Sequence, residues 1–336
     1  MTKLNKPTTI KEIARKLKIS PSTVSRALND HPSIGLVTTM RVKKMAEELN
    51  YEPNQTAIFF KQRKTFTIGV VLPTLSEPFF SSAISAIEAV AEDRKYTVLL
   101  GQSLDDANRE NQIITTFKKH RVDGILMSLG KNTTDLSFVD ILASSQIPIV
   151  FFDCVPESAA VNRVYCNLAS GMEEAIEAFV SRGHKNIALI NGPETLLAAT
   201  ERTSSFREAL RKQGYEYNEK YVVHTDLTEE GNHIAMEQLC VLPERPSAIV
   251  SFNDYVTLDV IRYARSKGIG VGQDMHFISF ANYPLWKYME NPPLASIEQY
   301  PDEQGRKAAE ILFDILDNSD KIGLQEIVFP SKLVFK

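Results

Sequence analysis

The chemistry open to this sequence is hydrogen bonding and charge pairing rather than bond cleavage. Its densest run is Ser20-Pro21-Ser22-Thr23-Val24-Ser25-Arg26-Ala27-Leu28-Asn29, which puts four hydroxyls, a guanidinium and an amide within ten residues. Hydroxyls and amides suit phosphate oxygens, contacts that fix register on a duplex without reading it. An arginine fork can hold guanine O6 and N7, a contact worth about 1–3 kcal/mol of discrimination. Pro21, Ser22 and Arg26 are therefore candidate base readers, and Ser20, Thr23, Ser25 and Asn29 candidate phosphate contacts.

Such residues need a helix that fits the major groove. Thr9 can cap a first helix, with Glu12 three residues on completing a capping box. Ile10, Ile13, Ala14 and Leu17 form its apolar stripe, and the helix stops near Lys18-Ile19. Ser20 then serves as N-cap and Pro21 as first residue of a second helix. Val24, Ala27 and Leu28 face inward, leaving Ser22, Thr23, Ser25 and Arg26 outside. A third helix carries Val42, Met45, Ala46 and Leu49 at core spacing behind Gly35. Two short amphipathic helices joined by a few residues predict a helix-turn-helix, whose second helix points its N-terminal residues at base edges.

A small helical bundle that binds protein would share the pattern, and charge separates the two readings. Residues 1–65 hold 13 Lys/Arg and 5 Asp/Glu, a net of +8, while the rest holds 25 and 37, a net of −12. A basic head on an acidic body is the footprint of a nucleic-acid binder.

From Thr67 the period changes. The run Ile68-Gly69-Val70-Val71-Leu72 reads as a strand buried on both faces. Strands Tyr96–Leu100, Gly124–Met127 and Ile149–Phe152 alternate with helices at Phe79–Arg94, Asn108–His120 and Phe138–Ser144. Near Asn167 the cycle restarts, with helices Gly171–Ser181, Thr203–Gln213, Gly231–Leu239 and Val256–Lys267. They precede strands Ile187–Ile190, Tyr221–His224, Ala248–Ser251 and His276–Ser279. Strict alternation predicts doubly wound parallel sheets, and two similar halves predict two lobes with a cleft beyond the strands' carboxyl ends.

The length, 336 residues, suits two or three domains, and 43% hydrophobic content is ample for a core. No apolar run reaches membrane-spanning length and no signal-peptide core opens the chain, so a cytoplasmic, nucleoid-associated protein is expected. Cys154, Cys166 and Cys240 lack metal-ligand spacing and read as buried free thiols. No metal or cofactor is implied. The run Gly268-Ile269-Gly270-Val271-Gly272 follows a helix and precedes a strand, the reverse of a phosphate-binding loop, so it reads as a helix stop and turn. With no P-loop, nucleophile elbow or triad, an enzyme is not expected.

The stretch Thr9–Asn29, with its TVSRALN run at Thr23–Asn29, and Tyr51-Glu52-Pro53-Asn54 resemble the lactose-repressor (LacI) family of bacterial transcription regulators. The likeness runs, more loosely, over nearly the whole chain, and the body also resembles periplasmic sugar-binding proteins. It implies a head at 1–53, a hinge helix or linker at 54–65, and an effector-binding body at 66–336. Within the body it implies a first lobe of about 66–165 plus 296–328 and a second of about 166–292. It adds Thr9, Tyr51, Asn54, Ala57 and Phe60 to the DNA-binding candidates, Phe60 standing where the family has a leucine wedge. Effector candidates carried over one by one are Phe79, Phe80, Asp153, Arg202, Asn253 and Asn282.

Two departures stand out. Phe280-Ala281-Asn282 replaces the family's Phe-Asp-Asp, and Leu227 replaces a frequent aromatic. Losing a carboxylate while keeping Arg202 suggests a less acidic pocket and an effector such as a sugar, uronate or sugar phosphate. The resemblance thus implies a homodimeric repressor on a palindromic operator, tuned by a small molecule. The alternative is a soluble sugar-binding protein of a transport system, against which the basic head and missing signal segment argue.

Overall fold

A computed structural model describes residues 8–52, 64–131, 133–156, 160–318 and 323–336. The chain divides into two compact units, residues 1–64 and 65–336.

In the first unit, helices α1 (Ile10–Leu17), α2 (Pro21–Leu28) and α3 (Leu36–Glu48) close on one core. Ile13, Ala14, Val24, Ala27, Val42 and Ala46 fill it, with Ile10, Leu17, Leu28, Met45, Leu49 and Tyr51 partly buried around them. The start of α1 departs from expectation. Thr9 is extended but its side chain makes no cap bond, and Glu12 lies 4.0 Å from Arg15 instead, so the capping box is not formed. α1 ends at Lys18 in the left-handed conformation (φ 56°), and Ser20 caps α2 by accepting from Thr23 N at 3.1 Å.

The second unit holds two six-stranded sheets. The strands are β1 (Thr67–Leu72), β2 (Thr97–Gln102), β3 (Gly124–Met127), β4 (Ile149–Phe152), β5 (Asn162–Asn167), β6 (Ile187–Asn191), β7 (Val222–His224), β8 (Ala248–Ser251), β9 (His276–Phe280), β10 (Ala295–Glu298), β11 (Glu326–Pro330) and β12 (Lys332–Phe335). The first sheet runs β11-β5-β4-β3-β1-β2 and the second β12-β10-β9-β8-β6-β7. Every pairing is parallel except β10 with β12.

Helices α4 (Pro78–Asp93), α5 (Ala107–Lys119), α6 (Ser137–Ser144) and α11 (Pro301–Asn318) cover the first sheet. Helices α7 (Leu168–Val180), α8 (Leu197–Lys212), α9 (Glu229–Cys240) and α10 (Asp254–Ser266) cover the second. Because both faces are covered, β3, β4, β6 and β8 are buried throughout, which is why they read as unbroken apolar runs. Gly69 in β1 makes room for α5, since a Cβ there would meet the Phe117 ring at 2.3 Å. Gly268 (φ 76°) and Gly272 (φ 81°) are a helix stop and a turn, as their order implied.

The lobe boundary needs correction. Ser296 to Glu298 remain in the second sheet as part of β10, so the return to the first lobe comes at Gln299-Tyr300. The chain crosses again at Ser331 to lay β12 on the second sheet. Strands β5, β10, β11 and β12 were not predicted. The edge strands β11 and β12 are partly solvated along their length, so they lack a long apolar run. The crossings are stitched together: Ser331 Oγ donates to Asn167 O at 2.7 Å and accepts from Gly171 N at 2.9 Å. Gln304 Nε2 donates to Gln299 O at 2.6 Å.

Among the described residues no helix is long and apolar enough to cross a membrane.

Candidate functional site

On the first unit the sequence-picked hydroxyls gather at the start of α2. Ser20 Oγ lies 2.7 Å from Ser22 Oγ and 2.9 Å from Thr23 Oγ1 while capping the helix. Pro21, Ser22, Arg26 and Asn29 are exposed, and Thr23 and Ser25 half-buried. Asn29 closes the helix, its Nδ2 donating to Ser25 O at 2.8 Å. Thr9 is exposed, whereas Tyr51 packs partly buried against the three-helix core. A capped helix N-terminus with free N–H groups, hydroxyls and a nearby guanidinium can take phosphate and base-edge acceptors together. Asn54, Ala57 and Phe60 lie outside the described residues.

In the second unit a cleft of about 870 Å³ opens at the carboxyl ends of both sheets. Phe79, Phe80, Asp153, Arg202 and Asn253 all line it. Phe79 and Phe80 stand at the start of α4, buried and edge to face at 5.3 Å, and belong to the first-lobe core as well as to the cleft wall. Asp153 ends β4 in the left-handed region (φ 60°), where its Oδ2 accepts from Ser128 Oγ at 3.1 Å. Burial pushes its carboxyl up to about 6, helped by the charge of Glu77 and opposed by the Ser128 bond and Arg202.

Arg202 is the anchor of the second-lobe wall. It sits on α8, which begins at Leu197, well before the expected start at Thr203. Its first turns, Leu197-Ala198-Ala199-Thr200-Glu201-Arg202, are mostly good helix formers, so the earlier start agrees with local preference. Arg202 is 5% exposed, with its guanidinium between the rings of Phe252 (4.2 Å) and Phe280 (4.6 Å). Nη1 donates to Ala198 O at 3.2 Å, but buried Nε meets no partner among the described residues. Burial lowers its pKa to about 10, so it stays charged at neutral pH. Asn253 caps α10, Oδ1 accepting from Val256 N at 2.9 Å, and still borders the cleft.

Asn282 is not part of the cleft wall. Its amide donates to Glu298 Oε2 at 2.5 Å and its carbonyl accepts from Lys336 Nζ. The left-handed backbone at Ala281 (φ 96°) and Asn282 (φ 54°) turns it away, leaving the Ala281 methyl on the lining. Buried Asp254 holds this turn by accepting from Tyr283 N at 2.5 Å and from Ser279 Oγ.

Even without the family's carboxylate at Ala281, the cleft carries acid on its walls. Among the described lining residues, Glu77, Asp105, Asp153 and Glu201 face Lys131, Arg163 and Arg202, so carboxylates still outnumber cations. Glu77, missed in the sequence, immediately precedes Pro78 at the start of α4, and the rule that ligands sit after strand ends could have flagged it. Burial raises its pKa, with Lys131 and Arg202 opposing. Tyr283, Phe252 and Lys131 were missed too, since their burial and direction come from tertiary packing. Lys131 is steadied by Asp105, at 3.0 Å to its N and 3.4 Å to its Nζ. Cys154 and Cys166 line the cleft as free thiols and Cys240 lies elsewhere; none of the three is fully buried, against expectation.

Comparisons with known proteins follow the same division. Residues 9–54 match the model of the bacterial regulatory proteins, lacI family, and residues 65–334 that of the periplasmic binding proteins and sugar binding domain of the LacI family. The chain is 31% identical over 306 residues to the HTH-type transcriptional repressor CytR of Escherichia coli strain K12, covering 91% of this chain and 89% of that one. It is 28% identical to catabolite control protein A of Priestia megaterium over 98% of both chains. A crystal structure of the Lac repressor dimer bound to operator and the anti-inducer ONPF superposes with a TM-score of 0.85 at 22% identity, over 98% of both chains.

Proposed function

The chain belongs to the LacI family of bacterial regulatory proteins, and from that premise we propose how its residues divide the work. It is a DNA-binding transcription regulator whose affinity for its operator is set by a small sugar-type molecule in the body. In this reading Pro21, Ser22 and Arg26 address bases, and Ser20, Thr23, Ser25 and Asn29 address phosphates. Thr9, Tyr51, Asn54, Ala57 and Phe60 complete the DNA surface, with Phe60 as a wedge at a base step. Two copies bind a palindromic operator, in keeping with the Lac repressor dimer described above, and occupancy of that DNA by the regulator represses transcription in the cytoplasm.

The observation that carries this reading is the exposed N-terminal face of α2, where Ser20 caps the helix and Ser22 and Arg26 stand free of the core. An effector bound between Arg202, Asp153 and the Phe79-Phe80 wall bridges the two lobes. By linkage, its preference for one lobe arrangement equals its effect on operator affinity. Hydroxylated rings suit the mixture of carboxylates, guanidinium and aromatic faces. The surplus of carboxylates disfavours uronates and sugar phosphates.

Selection of duplexes from a random pool by the full chain tests the reading. Enrichment of a sequence with dyad symmetry is expected, bound with an affinity that falls steeply with salt. Arg26→Ala is expected to cost about 1–3 kcal/mol on the selected duplex and little on random DNA. Enrichment without symmetry, or an equal loss on both DNAs, would overturn it.

A further inference from the structure

The charges on the cleft are unevenly answered. Asp105 is held by Lys131, and Arg163 pairs with Glu326 at 2.8 Å. Glu201 is the strongest charge partner of Arg202, and Glu77 and Asp153 line the same space. Asp153 accepts from Ser128 Oγ and from the Cys154 side chain, while the Glu77 side chain makes no cap bond at the start of its helix. Arg202 is held in place by the rings of Phe252 and Phe280 and by the bond from Nη1 to Ala198 O, so its single charge faces more than one carboxylate of the cleft. Its buried Nε still lacks an acceptor among the described residues.

A ligand must therefore bring opposite things to the two sides. Toward Arg202 it needs one oxygen, and a neutral hydroxyl suffices, since a carboxylate there would sit beside two desolvated carboxylates. Toward Glu77 and Asp153 it needs donors, and a cation answers the surplus charge better than a hydroxyl. Resting on the sensor reading above, we propose that the effector is an amino sugar: a hydroxylated ring with a protonated amine directed at Glu77 and a hydroxyl oxygen on Arg202. Glu77 is then the residue that sets specificity, rewarding the amine and repelling acids.

Calorimetry on the full chain with glucosamine, glucose, N-acetylglucosamine and glucuronate tests this. Glucosamine is expected to bind at least about tenfold tighter than glucose or the neutral N-acetyl form, with glucuronate weakest. In Glu77→Gln the ratio of glucosamine to glucose affinity should fall toward one, while Glu77→Asp keeps most of it, which separates recognition from misfolding. Glucuronate binding more tightly than glucosamine, or an unchanged ratio in Glu77→Gln, would overturn the proposal and leave the sensor reading standing. No binding by any of the four sugars would overturn both.

Discussion

Arg202 lies with its guanidinium carbon 4.2 Å from the centroid of the Phe252 ring, and Phe280 covers its other face at 4.6 Å. The sandwich stabilises a charge that burial alone would penalise, and it fixes the plane of the fork. Arg202→Lys keeps the charge but loses plane, stacking and fork together. Losses of about 3 kcal/mol, near 100-fold in effector affinity, are expected. Titration of the effector into both proteins checks this, and equal affinities would remove Arg202 from the site.

Asp153 gives the body a pH dependence whose sign is fixed. Its carboxyl is held up at about 6, against about 3.9 in an unfolded chain. Between these values the folded chain keeps a proton that the unfolded chain has released, so stability falls as pH rises from about 4 to 6 and levels off above. Asp153→Asn removes that ionisation and should gain on the wild type by up to about 3 kcal/mol across this window. Urea unfolding followed by Trp286, the single tryptophan and a buried one, reads it out. A difference that does not change with pH would contradict the assignment.

Asp123 clamps the first residues of the body. Its carboxylate accepts from Thr65 N at 2.8 Å, Phe66 N at 2.9 Å and Thr65 Oγ1 at 3.1 Å, across a left-handed Phe66 (φ 52°). Asp123→Ala strands two backbone donors and should cost about 2–4 kcal/mol. Asp123→Asn, which retains an acceptor, should cost less. Hydrogen exchange at Thr65 and Phe66 should speed up in Asp123→Ala ahead of the rest of the body. Protection equal to wild type at both amides would show the clamp to be dispensable.

Ala281 occupies a conformation that favours glycine (φ 96°) beside the cleft. Ala281→Gly should relieve that strain at the cost of its small contact with the first-lobe core, a net gain of about 1 kcal/mol. For a body of this size the melting temperature should rise by about 2–4 °C. A fall in melting temperature would mean that the methyl contact outweighs the strain.

Where signal was strong in the sequence, it was local or periodic. The Ser20-Pro21 cap, the apolar spacing of Val24 and Ala27, and buried runs such as Ile187–Ile190 each depend on neighbours a few residues away. They sufficed for a helix-turn-helix head and two parallel α/β lobes, while Asp153, Arg202 and Asn253 were singled out by the family resemblance. Thr9-Glu12 shows the limit even there, since a capping pattern permits a bond without requiring it.

Other features were decided only when distant segments met. Residues 295–298 are a strand because they pair between β9 and β12, and 332–335 because they close the edge beside them, not because either has a strong pattern of its own. Asn282 leaves the cleft because Glu298 and Lys336 bind it, partners 16 and 54 residues away. Glu77 becomes a cleft carboxylate, and Arg202 a stacked, buried cation, only where both lobes meet. Periodicity and capping are properties of short stretches, so the sequence by itself determined the helices, the central strands and the fold class. Burial, charge balance and side-chain direction are properties of assembled surfaces, so the tertiary structure alone decided what the cleft can bind.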